Sequence, residues 1–286
     1  MIITEKNTAI DPSDFEYVCS FVRERAGIVL EEGKQYLVES RHSQLVEREG
    51  YPSVQHLLTS LRNCAGRELH EKVVEAMCTN ETYFFRDVHP FEVIKRKVLP
   101  RLLERRSHGD PLVIWSAACS TGQEPYSLAM MLREHFPHLV EGQVRILASD
   151  ISGNVLEKAA AGLYNQIEIN RGLPAPLLVK YFSKRVDRWV ISEKIRSMVE
   201  FLELNLNGTW PPLPRVDLIL MRNVMIYFDV PTKRQILEKV RQQLNPQGAL
   251  FLGSSETTLM IDDCFHSVDH GTCHHYQLQK PKTEEN

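Results

Sequence analysis

The stretch WSAACSTGQEPYSLAM, residues 115–130, begins as a buried strand, turns through one glycine and continues as an apolar helix. A strand, a short turn and a helix in that order form a nucleotide-type unit, with the ligand beyond the strand's carboxyl end. Outward from it the pattern repeats in LVIWSA (112–117), VRILASD (144–150), SGNVLEKAAAGLY (152–164), DLILMRN (217–223), TKRQILEKVRQQL (232–244) and ALFLGSSE (249–256). Strands alternating with helices predict an α/β fold with a doubly wound, mostly parallel sheet covered on both faces.

Upstream the period changes. Phe15, Val18, Cys19, Val22 and Ala26 follow a helical repeat, as do Val54, Leu57, Leu58 and Leu61, and KQYLVESRHSQLVERE (34–49) reads as a polar-faced helix between them. Gly27, Gly33, Gly50 with Pro52, and Gly66 break this region into four short helices. The reading is a helical domain over 1–88 and an α/β domain over 89–286. The latter opens with a helix over 88–106 carrying Phe91, Ile94, Val98 and Leu102, kinked at Pro100 and stopped by SHGDP. YFSKRVDRWVISEKIRSMVEFLEL (181–204) reads as a small antiparallel β-subdomain inserted in the sheet domain, CHHYQLQK (273–280) as a last strand paired back onto the sheet, and KPKTEEN (280–286) as a disordered tail.

The composition, 43% hydrophobic and 25% charged over 286 residues, is that of a globular protein with room for a sizeable core. A net charge of -3 argues against a broad nucleic-acid footprint. No apolar run reaches the ~18 residues of a membrane span, and MIITEKNTAIDPSD lacks a signal-peptide core, so the expected location is the cytoplasm and the expected state a monomer. Six dispersed cysteines without a CxxC pair fit a reducing compartment.

The turn at 117–124 decides the ligand. Dinucleotide sites use several glycines so that the backbone can approach a pyrophosphate, whereas this turn has only Gly122, and Glu124 sits where a phosphate would lie. A cationic or zwitterionic nucleoside suits it better, with Glu124 facing an ammonium or sulfonium while the one glycine still admits a close approach. S-adenosylmethionine is such a ligand. Asp150, ending the next strand, would accept the ribose hydroxyls. Plainer readings stand beside these: Glu124 with Pro125 also fits a helix start, and Asp150 an N-cap.

Two further constellations lie at strand or domain edges. CTNETYFFRD (78–87) combines Asn80, Thr82 and Arg86 with an aromatic group that could anchor them, the alternative being helix capping with a solvated Arg86. DLILMRNVMIYFD (217–229) puts Arg222, Asn223 and Tyr227 after a strand, where a buried tyrosine with a hydrogen-bond partner is the plainer reading.

Taken together, TNETYFFRD, WSAACSTGQEPYSLAM, ASDIS, LNL and RNVMIYFD, in this order and spacing, resemble the CheR-type chemoreceptor glutamate methyltransferases over nearly the whole chain. The resemblance implies a class I S-adenosylmethionine-dependent methyltransferase fold with an N-terminal helical domain and an inserted antiparallel β-subdomain. It implies methyl transfer to glutamate carboxylates on a receptor's cytoplasmic helical bundle. Carried over by motif, Asn80, Thr82, Arg86, Glu124, Asp150, Asn205, Leu206, Arg222 and Asn223 would contact the cofactor, and Arg86 and Tyr227 would lie nearest the transferred methyl. Two departures matter. The chain between Phe182 and Trp189 is short and lacks a glycine-rich loop, which counts against tethering to a receptor's C-terminal peptide. The second helix mixes Lys34, Arg41 and Arg48 with Glu39, Glu47 and Glu49, leaving Arg41 as the candidate acceptor contact, with a solvated face as its alternative.

Three competing readings are weaker. CFHSVDHGTCHH (264–275) fits no structural-zinc spacing, so no metal is expected. A non-catalytic S-adenosylmethionine-binding signalling module would not need Arg86, Asn223 and Tyr227. A nicotinamide dehydrogenase would need the missing glycines.

Overall fold

The computed structural model describes residues 10–63, 66–105, 110–139 and 142–279, so that Cys64 and the whole of the expected KPKTEEN tail lie outside the described residues. The chain divides into two compact units, one running to Thr79 with Tyr227–Asp229, the other Asn80–Ile226 with the chain from Val230 onward. The division thus falls at Thr79 and not at residue 88, because the segment from Asn80 to Val88 is bonded to the sheet.

In the helical unit, α1 (Pro12–Ala26), α2 (Gln35–Glu49), α3 (Val54–Arg62) and α4 (Arg67–Met77) follow the expected breaks. Asp11 and Ser53 cap α1 and α3 by accepting from Ser13 and His56 N–H. Val18, Val22, Val38, Leu57, Leu58 and Val73 form its buried centre. His42 is fully buried there, its Nδ1 2.7 Å from Val38 O and its Nε2 3.3 Å from Val73 O, which couples α2 to α4.

The sheet unit opens with α5 (His89–Val93) and α6 (Leu99–Glu104), joined by a π-helical turn over Ile94–Val98 in which Leu99 N–H bonds Ile94 O. Pro100 has no N–H for the helical ladder, and the expected kink is this widened turn just before it. The main sheet has seven strands: β1 (Leu112–Ala117), β2 (Val144–Asp150), β6 (Val199–Glu203), β7 (Val216–Met221), β8 (Leu244–Leu252), β9 (Phe265–Asp269) and β10 (His274–Leu278). Their order is β6-β2-β1-β7-β8-β10-β9, parallel from β6 to β8, with β10 antiparallel to both neighbours. Strands β1 and β7 are almost wholly buried, as is β8 from Gly248 to Leu252. Helices α7 (Gln123–His135), α8 (Gly153–Ala161) and α12 (Val230–Gln243) connect the parallel strands. From β1 the chain steps to β2 on one side, and β7 lies on the other, so the carboxyl end of β1 is the point where the connections diverge.

The small antiparallel sheet is built from β3 (Leu163–Tyr164), β4 (Phe182–Arg185) and β5 (Arg188–Ile191) in the order β3-β5-β4, with α9 (Gln166–Asn170) and α10 (Ala175–Tyr181) between its first two strands. It therefore starts earlier than residue 181 and ends at Ile191. The MVEFLEL stretch, read with this insertion, is instead the edge strand β6, paired parallel to β2 from Val199↔Ile146 to Glu203↔Asp150. An edge strand exposes one side, so its alternation looks antiparallel from sequence. A single helical turn, α11 (Glu193–Arg196), makes the crossover. Among the described residues no helix is long and apolar enough to cross a membrane.

Candidate functional site

The turn after β1 is strained and tightly held. Ala118 and Ser120 have φ of 55° and 50°, a region that costs an L-residue about 1–2 kcal/mol. Asp150 offsets this by accepting Ser120 N–H on Oδ2 at 2.9 Å, while its Oδ1 accepts Ser152 N–H at 3.1 Å. The N-cap of α8 is Ser152, so Asp150 is not that cap. Gly122 has a packing task as well. A β-carbon there would lie 2.9 Å from Ala159 Cβ, so the glycine lets the start of α7 pack against α8.

Glu124 is buried, and its carboxylate accepts Ser116 Oγ–H at 2.8 Å and Arg222 Nη1–H at 2.9 Å. Arg222, its side chain only 1% exposed, also donates from Nη2 to Arg86 O at 2.9 Å and to Asp87 Oδ2 at 2.5 Å. Glu124 is therefore not a free anion awaiting a cation. One guanidinium is shared by two carboxylates, and with Asp150 across the turn the crevice stays net negative. Cys119 registers that field, its thiol pushed well above the ordinary range by burial and then by the Asp150 and Glu124 carboxylates.

The segment Asn80–Val88 crosses the carboxyl edge of the sheet. Ser120 Oγ–H donates to Asn80 O at 2.8 Å, Phe85 N–H to Ser127 Oγ at 2.9 Å, and Arg222 to Arg86 O. Phe84 anchors it, fully buried and edge-on to Tyr164 and Phe182. The Arg86 side chain donates to Glu81 O at 2.8 Å and lies over the Tyr83 ring, whereas the Asn80 side chain is exposed and Thr82 half-buried. Phe85, Asp87 and Val88 all have φ near 50–67°. With Ala118, Ser120 and Asn223 they make six of the eight positive-φ non-glycine residues among the described residues, so backbone strain concentrates at this edge.

After β7, Asn223 takes φ 59° with its N–H bonded to Glu256 Oε2 at 2.8 Å. The same buried carboxylate accepts Gly253 N–H at 2.5 Å and Ile226 N–H at 3.2 Å. Glu256 escaped the sequence reading, although a glycine and an acid three residues apart at a strand end were visible in GSSE. Beyond β6, Leu204 N–H bonds Asp150 O at 2.8 Å, which sets Asn205 and the buried Leu206 beside the end of β2. Lys239, also not anticipated, clamps this loop by donating to Leu206 O, Asn207 O and Gly208 O.

The fold thus brings Asn80, Thr82, Arg86, Glu124, Asp150, Asn205, Leu206, Arg222 and Asn223 to one edge, at the carboxyl ends of β1, β2, β6 and β7. Arg41 and Tyr227 belong to the helical unit. There Arg41 donates to Met77 O and to Thr79 Oγ1, holding the end of α4, and Tyr227 O accepts Val29 N–H at 2.9 Å. A cleft of about 410 Å³ adjoins Arg222 and Asp87, walled by Gly253, Ser254, Asp269 and Thr272. The donor set fits a zwitterionic nucleoside carrying a sulfonium: a net-negative crevice for its positive charge, carboxylate lone pairs of Asp150 for hydroxyls, and a buried Arg222 Nε–H that lacks a partner among the described residues. In the CFHSVDHGTCHH stretch, His275 is buried between Phe251 and His270, its Nδ1 2.9 Å from His270 Nε2. Among the described residues no three His, Cys, Asp or Glu side chains group as a metal ion requires.

Comparison with known proteins agrees with this geometry. Residues 13–78 match the family described as CheR methyltransferase, all-alpha domain, and residues 80–273 match CheR methyltransferase, SAM binding domain. The chain is 44% identical over 261 residues to chemotaxis protein methyltransferase 1 of Pseudomonas aeruginosa, covering 90% of this chain and 94% of that protein. It is 42% identical over 260 residues to chemotaxis protein methyltransferase Cher2 of Pseudomonas putida (89% and 94%), and 39% identical over 267 residues to chemotaxis protein methyltransferase 1 of Vibrio cholerae (91% and 96%). With both of its units matched in order, the chain belongs to the CheR methyltransferase family.

Proposed function

We propose that this chain is a chemotaxis methyltransferase that esterifies glutamate side chains on the cytoplasmic helical bundle of a chemoreceptor, using S-adenosylmethionine and releasing S-adenosylhomocysteine. The observation that carries this reading is the shared guanidinium: Arg222 between Glu124 and Asp87, beside Asp150, makes an acidic crevice at the switch point of the sheet. A phosphate-bearing cofactor would be repelled there and a sulfonium favoured.

When bound, S-adenosylmethionine supplies a methyl group carried on a positively charged sulfur. Asn80, Thr82, Arg86, Glu124, Asp150, Asn205, Leu206, Arg222 and Asn223 would hold it. A glutamate carboxylate, with a reference pKa near ~4.3, is already ionised at neutral pH, so the chain needs no general base. Its residues have two tasks, alignment and exclusion of water, and alignment alone contributes on the order of 7–11 kcal/mol in well-oriented systems. Arg86 is assigned to orientation, since a tight ion pair with the acceptor carboxylate would lower its nucleophilicity. Tyr227 is assigned to the methyl end, as a hydrogen-bond donor to the acceptor or a wall of the channel. Arg41 keeps further N–H donors with which to meet the acceptor. The chain works as a cytoplasmic monomer, without nucleic acid or metal.

The test is incubation with methyl-labelled S-adenosylmethionine and receptor cytoplasmic fragments, followed by mapping of base-labile esters. Label on glutamate residues supports the reading. Label on no glutamate overturns it.

A further inference from the structure

Isolated apolar side chains on a surface are ordinary, but clusters are not. Among the exposed large hydrophobic residues, Ile226 lies in the turn after β7, Val230 at the start of α12, and Leu259 and Met260 on the loop after β8. Glu256 Oε1 accepts Ile226 N–H at 3.2 Å, and the chain then enters a turn closed by Ile261 N–H and Asp262 N–H, both on Thr258 O at 3.0 Å. Arg234 Nε donates to Ile261 O at 3.2 Å, and Val230 lies one helical turn before Arg234 on the same face of α12. The turn from Thr257 to Asp262 is thus tied to Ile226 through Glu256 at its start and to α12 through Arg234 at its end.

At its tip Leu259 and Met260 are 73% and 86% exposed, and Met260 has φ 61°. That backbone position favours glycine or asparagine, yet it carries a long apolar side chain pointing to solvent. Thr258 beneath is 3% exposed, so the tip stands on an anchored base.

We propose that Leu259 and Met260, with Ile226 and Val230, form the docking surface for the methyl-accepting protein, gripping the apolar flank of the helix that carries the acceptor glutamate. This rests on the function proposed above. The loop that bears the apolar tip also bears Glu256, whose carboxylate fixes Asn223 beside Arg222. A macromolecule that delivers one side chain to the end of β7 therefore lies across Ile226 and this turn. Beside the patch Asp229 and Asp262 are neutralised by Arg23 and Arg241, and Lys233 and Arg234, which form no ion pair among the described residues, outnumber the exposed Asp263, so the local charge is positive and suits an acidic helix.

The experiment compares the wild-type chain with Leu259→Ser/Met260→Ser in steady-state methylation of a receptor cytoplasmic fragment, with S-adenosylhomocysteine affinity measured by calorimetry. Val179→Ser on α10, an apolar residue 84% exposed, is the control. The expected result is a KM for the fragment raised about fivefold or more, with kcat, S-adenosylhomocysteine affinity and the control within about twofold of wild type. A smaller rise in KM, an equal rise in the control, or a loss of S-adenosylhomocysteine affinity in the double variant would overturn the docking assignment alone. A wild-type chain that esterifies no glutamate overturns the proposed function, and the docking surface with it.

Discussion

The Arg222 guanidinium meets the Glu124 carboxylate at 2.9 Å, with the two side chains 1% and 11% exposed. A buried pair of this kind adds little over an apolar substitute, but removing one partner strands the other and costs about 3–5 kcal/mol. Glu124→Gln keeps an oxygen for the guanidinium and deletes the charge, leaving Asp87 as the only anion on Arg222. The expected outcome is a thermal midpoint lowered by several degrees and an S-adenosylmethionine affinity weakened about tenfold or more, read by calorimetry. Unchanged affinity would show that the acidic field does not reach the ligand.

Glu256 gives a second prediction. Its carboxylate is the common acceptor for the N–H groups of Asn223, Ile226 and Gly253, and Glu256→Ala would leave three donors without it at an edge already strained at Asn223. A buried donor left unpaired costs about 1–3 kcal/mol; the Gly253 N–H is buried and the other two partly so, and a loss of about 2 kcal/mol or more in urea unfolding is expected. Glu256→Gln retains one oxygen and should recover part of that loss.

What the sequence made legible was local. The strand, turn and helix over 115–130 can be read because burial and period are properties of neighbouring residues, and the place of Asp150 at the end of β2 follows from the same pattern. What stayed hidden was pairing at a distance. Glu124 reads as a lone anion until Arg222, 98 residues further on, is seen to share its charge. Glu256 looks like a surface acid until three amides converge on it, and Lys239 like a solvated helix charge until three carbonyls do. The edge strand β6 was placed with the wrong sheet for a related reason: alternation marks a half-exposed strand but not the partner it joins.

Gly122 is where sequence and structure disagree about cause. A ligand role makes the glycine a point of close approach; the geometry makes it a contact with α8. Gly122→Ala adds a β-carbon 2.9 Å from Ala159 Cβ at a φ of 91°, and the combined clash and strain should cost about 2–4 kcal/mol. Ala159→Gly in the same chain removes the clash and leaves the strain. A double-mutant cycle by urea unfolding should therefore show a favourable coupling of about 1 kcal/mol. No coupling would return the glycine to a ligand role.

The pH dependence of folding follows from two buried histidines. Burial, reinforced by the neighbouring His270, pushes His275 down to about 3, and burial also lowers His42. Both rings are neutral in the folded chain and free to protonate, near ~6.5, once it unfolds. The unfolded state binds the extra protons, so stability is full above pH ~6.5 and falls as the pH drops from there toward the depressed folded values. For His275 alone the loss by pH 5 is about 2 kcal/mol, in a window above the range where carboxylates protonate. His275→Phe, which can stack on Phe251, removes one of the two contributions. Urea unfolding at pH 7 and pH 5 should show the wild-type chain losing about 2 kcal/mol more than the variant over that interval; equal losses would mean that His275 is already accessible to protons in the folded state.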